Sequence, residues 1–172
     1  MNGEIAKRRF REIVPPHLDA AYRLAGWIAG ANEAEDVVQD AAIRALAALA
    51  TITPANPRAW WLTIVRNAAL SAVKRRRGLT AGVADEREAE DAADPAPDAL
   101  SALIARGEAA RIQEALARLP PALRETLMLR EIEDLNYREI AALTQAPMGT
   151  VMSRLARARA ALAKLLGHDD DR

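Results

Sequence analysis

The chain contains no cysteine, which excludes a disulfide framework, a thiolate zinc site and a cysteine nucleophile. Aromatic residues make up only 3% of its 172 residues, and glycine is scarce, with 8. An alanine-rich sequence with 51% hydrophobic residues and few aromatics favours helices packed through small side chains over a sheet. We therefore expect an all-α fold of one or two small domains.

No apolar run approaches the ~18 residues that a membrane span requires, and the N-terminal stretch lacks the apolar core of a signal peptide. We expect a cytoplasmic protein without membrane insertion. The two histidines, His17 and His168, lie far apart, and no glycine-rich phosphate loop or nucleophile motif is present. We therefore expect neither an enzyme nor a bound cofactor. The run 168–171 could bind a metal weakly, but a tail without order is the favoured interpretation.

Positive and negative charges balance overall, with 24 of each, but they are distributed unevenly along the chain. Residues 1–78 hold 12 Lys+Arg and 7 Asp+Glu, whereas residues 79–110 hold 2 and 8. No acidic residue occurs between Asp40 and Asp85, although seven basic residues do. This one-sign region within a neutral protein is a first indication of function.

An acidic segment divides the chain. Residues 85–98 hold seven acidic residues, one arginine and two prolines without a helical apolar stripe, so they cannot bury enough surface to fold. We predict domains at 1–78 and 108–168, an acidic linker at 79–107 and a tail at 169–172. The linker either leaves the two domains mutually mobile or folds back on the basic cluster at 74–77, and we expect mobility.

Apolar residues at helical spacing predict three helices before the linker, at about 17–29, 32–50 and 58–76. Gly30 ends the first helix, and Asn32 with Glu35 has the spacing of a capping box at the start of the second. After the linker, the same criteria predict helices near 99–118, 121–132, 137–144 and 149–166.

Residues 137–155 have the pattern of a helix-turn-helix, in which Ile140, Ala141 and Val151 supply the apolar contacts between two short helices. No acidic residue occurs from 149 to 167. This second helix carries hydroxyl and basic side chains at Thr150, Ser153, Arg154, Arg157, Arg159 and Lys164. The alternative is an ordinary helical hairpin with a solvated basic face, but the turn, the small residue at the crossing and the uniform charge together favour DNA binding.

Two polar groups lie upstream of the linker. Asp36, Gln39 and Asp40 lie at i, i+3 and i+4, so they share the helix face opposite the apolar stripe. By themselves they are typical of a solvated face.

Trp60 and Trp61 precede Arg66 and Asn67, and aromatic and amide groups suit contacts with unstacked bases. Adjacent tryptophans on a helix point in different directions, so at least one of them is expected in the core. Locally, a purely structural role is favoured.

Taken together, these motifs resemble the bacterial sigma factors of the extracytoplasmic-function (ECF, group 4) class of the sigma-70 family. AEDVVQDAAIRAL at 34–46 is similar to their region 2.2, and NPRAWWLTIVRNAAL at 56–70 with KRRR at 74–77 is similar to regions 2.3 and 2.4. LPPALRETLMLREIEDLNYREIAALTQAPMGTVMSRLARARAAL at 119–162 is similar to region 4. The resemblance covers well over half the chain and implies a sigma-2-like bundle of three to four helices and a sigma-4-like helix-turn-helix domain.

The resemblance also implies the partners. The chain would bind core RNA polymerase and promoter DNA, with the sigma-4-like domain on the β flap and an anti-sigma factor as inhibitor. Contacts to the β′ clamp helices would come from Asp36, Gln39 and Asp40. The melted −10 element would be engaged by the loop 51–57 and by Trp60, Arg66, Asn67, Lys74, Arg75 and Arg76. The −35 duplex would be engaged by Thr150, Ser153, Arg154 and Arg157.

Three positions depart from the family pattern. Ser71 stands where Asp often follows Asn67 by four residues, Gln145 stands where glycine commonly makes the turn, and Met152 replaces a frequent Lys or Arg. A left-handed Gln145 would cost ~1 kcal/mol. Met152 removes a contact to a guanine edge or a phosphate.

The alternative function is a free-standing helix-turn-helix regulator. Residues 1–78 would then serve dimerisation or sensing, and the chain would bind a symmetric operator tightly without polymerase. The acidic linker has two interpretations under the sigma-factor hypothesis, as a mimic of nucleic acid in the RNA path of the polymerase or as an inert tether.

Overall fold

The computed structural model describes residues 2–79 and 99–167, and these residues are helical with no strand. Eight α-helices follow one another: α1 Asn2–Ile13, α2 Leu18–Ala29, α3 Ala34–Ala48, α4 Pro57–Leu79, α5 Ala99–Ala117, α6 Pro121–Glu131, α7 Tyr137–Thr144 and α8 Met148–Gly167. Short 3₁₀ turns at Pro15–His17 and Ala31–Glu33 lead into α2 and α3. The chain divides into two compact units: in the described residues, the first holds α1 to α4 together with 142–145, and the second holds the rest of α5 to α8.

In the first unit, α2, α3 and α4 pack against one another, and α1 packs against α3 and α4. Alanines line the helix contacts, with Ala21, Ala25, Ala41 and Ala45 fully buried. Small side chains let the helix backbones approach closely, and Trp61 on α4 fills the remaining space in the core. This arrangement confirms the expectation of helices packed through small residues.

In the second unit, α8 packs against both α5 and α6. The core is aliphatic, and its fully buried side chains include Leu129, Ile140, Val151 and Leu155. Ile140 on α7 and Val151 on α8 are buried as the helix-turn-helix pattern predicts, whereas Ala141 is half-buried.

Two local predictions before the linker are wrong. Helix α1 was not predicted, and no capping box forms at Asn32, which lies in the 3₁₀ turn while Glu33 precedes α3 without a side-chain cap bond. A capping box is present elsewhere, at the start of α7. There the Asn136 N–H donates to Glu139 Oε2 at 2.7 Å and the Glu139 N–H donates to Asn136 Oδ1 at 3.0 Å.

The remaining helix bounds agree with the predictions to within a few residues, and Gly30 ends α2 with a φ of 102° that favours glycine. Helix α5 begins at Ala99, so the helical chain extends into the residues assigned to the linker. The acidic segment 85–98 and the tail 169–172 lie outside the described residues. In 2–79 and 99–167, no helix has the length and apolar character needed to cross a membrane.

Candidate polymerase and promoter interfaces

Helix α3 has one buried face and one polar face. Val37, Val38, Ala41 and Ala45 turn into the core. On the opposite face Asp36 and Gln39 are exposed. The half-buried Asp40 forms an ion pair with Arg44, in which Arg44 Nη2 lies 2.7 Å from Asp40 Oδ2. The three predicted polymerase-binding side chains therefore lie together on an accessible surface, as their spacing predicts.

Two apolar residues extend this polar face and were missed from the sequence. Ile43 is 67% exposed and Leu46 is 38% exposed, and they follow Gln39 and Asp40 at helical spacing. Two neighbouring aliphatic side chains exposed beside charged groups form a small apolar surface that suits a protein contact. The useful signal in the sequence was that Ile43 and Leu46 lie out of phase with the buried positions of α3.

The loop between α3 and α4 carries the residues predicted to meet the −10 element. At the end of the loop Asn56 caps the N-terminus of α4, because its Oδ1 accepts the Ala59 N–H at 3.1 Å. At its beginning the Ile52 N–H donates to Ala48 O at 3.1 Å. Arg9 on α1 also donates to two carbonyl oxygens of this part of the chain.

An open groove of about 590 Å³ lies between α1 and this loop, and its lining includes His17, Thr53 and Arg58. Partial burial lowers the pKa of His17 below its ordinary value, and the nearby positive charge of Arg58 lowers it further. The His17 imidazole is therefore a weaker base than a free histidine, because it is partly buried in a groove that already carries positive charge.

Trp60 and Trp61 have different environments, as the helix geometry requires. Trp61 is fully buried, whereas Trp60 is half-buried. Nearly two turns beyond Trp60 on α4, Arg66 is half-buried and Asn67 is exposed. Ser71 Oγ donates to the Asn67 carbonyl at 2.8 Å, so in this chain the residue at the family's Asp position bonds to the backbone of α4.

The basic residues at the end of α4 have different contacts. Lys74 and Arg75 are exposed, but Arg76 Nη1 donates to the carbonyl of Ala29 at 3.3 Å. Because Ala29 is the last residue of α2, Arg76 caps the carbonyl end of another helix. The structure thus gives Arg76 a role in packing in addition to the DNA contact predicted for it.

The turn of the helix-turn-helix contains a left-handed residue, and the turn before it is held by specific contacts. Gln145 adopts a φ of 54°, the left-handed conformation that its position predicts for the turn. Arg130 fixes the preceding turn: its Nη1 donates to Leu135 O at 3.0 Å, and its guanidinium lies 5.7 Å from the ring centroid of Tyr137. These contacts set the position of α7 relative to α6.

Helix α8 begins at Met148, one residue earlier than predicted, and buries Val151, Leu155 and Ala158. On its other side Ser153 and Arg157 are exposed, while Thr150 and Arg154 are half-buried. Ser153 Oγ donates to Thr150 O at 3.0 Å. The four predicted −35 residues therefore occupy the N-terminal half of α8, next to one another.

Arg159 differs from Arg157 although both are exposed. Arg159 Nη2 and Nε donate to Glu131 Oε1 at 2.6 and 3.2 Å, and this bonding raises the pKa of the guanidinium. The pair connects α8 to the end of α6. Arg159 is therefore paired with another side chain of the protein. Met152 is 52% exposed and presents an apolar side chain beside Ser153.

Comparison with known proteins agrees with both units. Residues 13–78 match the family described as Sigma-70 region 2, and residues 109–162 match Sigma-70, region 4. The chain is 34% identical over 157 residues to the ECF RNA polymerase sigma factor SigE of Mycolicibacterium smegmatis, covering 90% of this chain and 60% of that protein. It is 34% identical over 147 residues to the RNA polymerase sigma-H factor of Pseudomonas aeruginosa, covering 81% of this chain and 76% of that one.

A solved structure is also similar. The sigma factor RpoE from Bartonella quintana, crystallised in complex with the anti-sigma factor NepR, superposes with a TM-score of 0.73 at 29% identity, covering 95% of this chain and 98% of that chain. With both regions matched in order, the chain belongs to the sigma-70 family of RNA polymerase sigma factors, among those of the extracytoplasmic-function type.

Proposed function

We propose that this chain binds core RNA polymerase and directs it to a restricted set of promoters as an alternative sigma factor. The observation that carries the proposal is that two sigma-70 regions match in order, region 2 over α2 to α4 and region 4 over α5 to α8. Each unit also presents an exposed polar or basic face at the predicted positions. The chain supplies recognition, and the catalytic step belongs to the polymerase.

Under this proposal, the first unit performs two tasks on different surfaces. The face of α3 with Asp36, Gln39 and Asp40 contacts the β′ clamp helices, and Ile43 with Leu46 adds apolar area to that contact. The loop 51–57 and α4, with Trp60, Arg66, Asn67, Lys74 and Arg75, engage the melted −10 strand.

The second unit meets the −35 duplex and the β flap. Thr150, Ser153, Arg154 and Arg157 lie at the N-terminal half of α8, the part of a recognition helix that enters the major groove. Exposed guanidinium groups there can read guanine edges or bind phosphates.

Energetics explain why the polymerase is needed. Unstacking a base step costs a few kcal/mol, and stacking on an aromatic side chain returns about 1–3 kcal/mol per base. The half-buried Trp60 offers only part of one aromatic face. Core polymerase must supply the remaining free energy and fix the spacing of the two DNA contacts.

We also propose that an anti-sigma factor inhibits the chain and that it acts in the cytoplasm. Support comes from the similar sigma factor RpoE, which was crystallised with the anti-sigma factor NepR.

The test is run-off transcription with purified core RNA polymerase and fragmented genomic DNA as template. Adding the chain should produce transcripts from a small set of start sites that core polymerase alone does not use. Unchanged start-site choice would contradict the proposal, and tight binding of the chain alone to a symmetric operator would favour a free-standing regulator.

The contact with core can be tested separately by reversing charge on α3. Asp36→Lys with Asp40→Lys should abolish core binding but change stability by only about 1 kcal/mol, because both sites are at the surface and the Asp40–Arg44 pair is solvent-accessible. Affinity for core is measured by fluorescence anisotropy and helicity by circular dichroism. Asp19→Lys, which reverses an exposed carboxylate on α2, is the matched control and should bind core normally.

A further inference from the structure

Arg9 connects helix α1 to the chain segment that leaves α3. Its Nη1 donates to Leu49 O at 3.1 Å and to Ile52 O at 2.9 Å. The acceptors lie 40 and 43 residues further along the chain, so the contact is tertiary. The Arg9 side chain is half-buried, which shields these bonds in part from water.

The Leu49 carbonyl needs such a donor. Leu49 is the C-terminal cap of α3, and carbonyls at a helix end have no donor within the helix. A positive charge at this end also interacts favourably with the helix dipole. Because the Leu49 side chain is fully buried, Arg9 bonds to a rigid point of the core and, three residues later, to the start of the loop.

Hydrogen bonds hold the loop 51–57 at both of its ends. Ile52 N–H donates to Ala48 O at 3.1 Å, and Asn56 caps α4. Arg9 adds an attachment from another helix at Ile52, whose own side chain is 41% exposed. Arg9 and the loop residues Thr53 and Pro54 line the same open groove. A loop that is already fixed loses less conformational entropy when it binds a ligand.

We infer that Arg9 is a positioning residue for −10 recognition, which holds the loop 51–57 in the shape that meets unstacked promoter bases. The inference rests on the proposed function, since it requires this loop to engage the −10 strand. Arg9 itself contacts carbonyl oxygens of the protein, so its effect is on the selection of −10 sequences rather than on the attraction of DNA in general.

The experiment uses holoenzyme reconstituted from core polymerase and the full chain. Templates carry a −35 sequence that the wild type uses and a randomised −10 region, and transcripts are sequenced. Arg9→Gln should lower the ratio between the most used and least used −10 sequences by about tenfold, the effect expected from losing hydrogen bonds to a charged group. Arg11→Gln removes the same charge from an exposed residue of α1 that does not line the groove, and it should leave the ratio unchanged.

Further measurements separate positioning from a fault in folding. Arg9→Lys keeps a charged donor and should restore part of the ratio. Amide hydrogen exchange of the free chain should accelerate in 51–56 in Arg9→Gln and remain slow in α2 and α4, while core affinity stays at the wild-type value.

The outcomes are distinct. If Arg9→Gln lowers transcription from every −10 sequence alike, or keeps the wild-type ratio, the inference is wrong while the proposed function stands. If the wild-type holoenzyme shows no −10 preference at all, the inference is wrong, and so is the −10 role proposed for the loop 51–57. The proposed function itself fails only if run-off transcription shows unchanged start-site choice.

Discussion

Adjacent tryptophans at the start of α4 show how neighbouring residues acquire different tasks. Trp61 is fully buried, and among the described residues its indole Nε1 has no hydrogen-bond acceptor, so it acts through its apolar surface. Trp60 is half-buried, on the part of α4 that follows the loop 51–57. Successive side chains on a helix point about 100° apart, so both cannot serve the core.

The first prediction separates these two residues. Trp61→Ala should lower the free energy of unfolding by about 3–5 kcal/mol, because it leaves a cavity in the core. Trp60→Ala should cost far less stability but reduce transcription from promoters that depend on the −10 element, since a stacking surface is lost. Urea unfolding and run-off transcription measure the two effects.

Trp60→Phe provides the control, because it retains an aromatic face and should keep most of the transcription. Equal destabilisation by both alanine substitutions, with no change in promoter use for Trp60→Ala, would make Trp60 a core residue only.

Residue-level interpretation succeeds where the cause is local. Gln145 occupies a turn position that requires a positive φ, and the structure shows 54°. Asp36, Gln39 and Asp40 were placed on one face by spacing alone. In contrast, the bond from Arg76 to Ala29 and the pairing of Arg159 with Glu131 depend on how distant helices meet. Charge and spacing along the sequence could not separate those arginines from their neighbours.

At the scale of elements, periodicity located seven of the eight described α-helices. Helix α1 was not predicted because it is dominated by basic residues, at Lys7, Arg8, Arg9 and Arg11, and has few apolar positions. Of these apolar positions, Ala6 and Ile13 are buried. Its stability comes from packing against α3 and α4, which no local pattern reveals. The capping box was misplaced because Asn-x-x-Glu occurs twice, and only the tertiary structure decides which copy begins a helix.

The two exposed arginines of α8 give the second prediction. Arg157→Ala should cost about 1–3 kcal/mol in DNA affinity and relax sequence preference at one −35 position, because an exposed guanidinium on this face can read a base edge. Arg159→Ala is the matched control, since its guanidinium is occupied by Glu131. It should change −35 preference little. Transcription from templates with single −35 substitutions measures both.

The contrasting result is also informative. If Arg157→Ala lowers transcription equally from every −35 variant, Arg157 binds phosphate and does not read bases. The salt dependence of holoenzyme binding should then decrease, because one fewer counterion is released on binding.

At the scale of the whole molecule, neutrality has a physical consequence. The 24 basic and 24 acidic residues cancel, so the chain as a whole has no long-range attraction to DNA. The basic residues assigned to DNA lie on α4, at Arg66, Lys74 and Arg75, and on α8, at Arg154 and Arg157. Each patch carries only two or three of the basic side chains assigned to DNA, so phosphate contacts from one patch alone are few. Promoter affinity must therefore come from holding both patches on one scaffold, which multiplies their separate affinities through effective concentration.

The last prediction follows from this dependence on a scaffold. The chain alone should bind a labelled promoter duplex weakly, with little preference over a scrambled duplex and with a steep loss of affinity as salt rises, because phosphate contacts alone contribute. Addition of core polymerase should produce tight binding with a strong preference for the promoter. Fluorescence anisotropy across a salt series measures both states.

The Asp36→Lys, Asp40→Lys variant supplies the control for that series. It retains α4 and α8 unchanged, so it should bind the duplex as weakly as the free wild-type chain and gain nothing when core is added. If the wild-type chain without core discriminates promoter from scrambled DNA as strongly as the holoenzyme does, the scaffold is not the source of specificity. The two DNA-binding surfaces would then act without polymerase, as in a free-standing regulator.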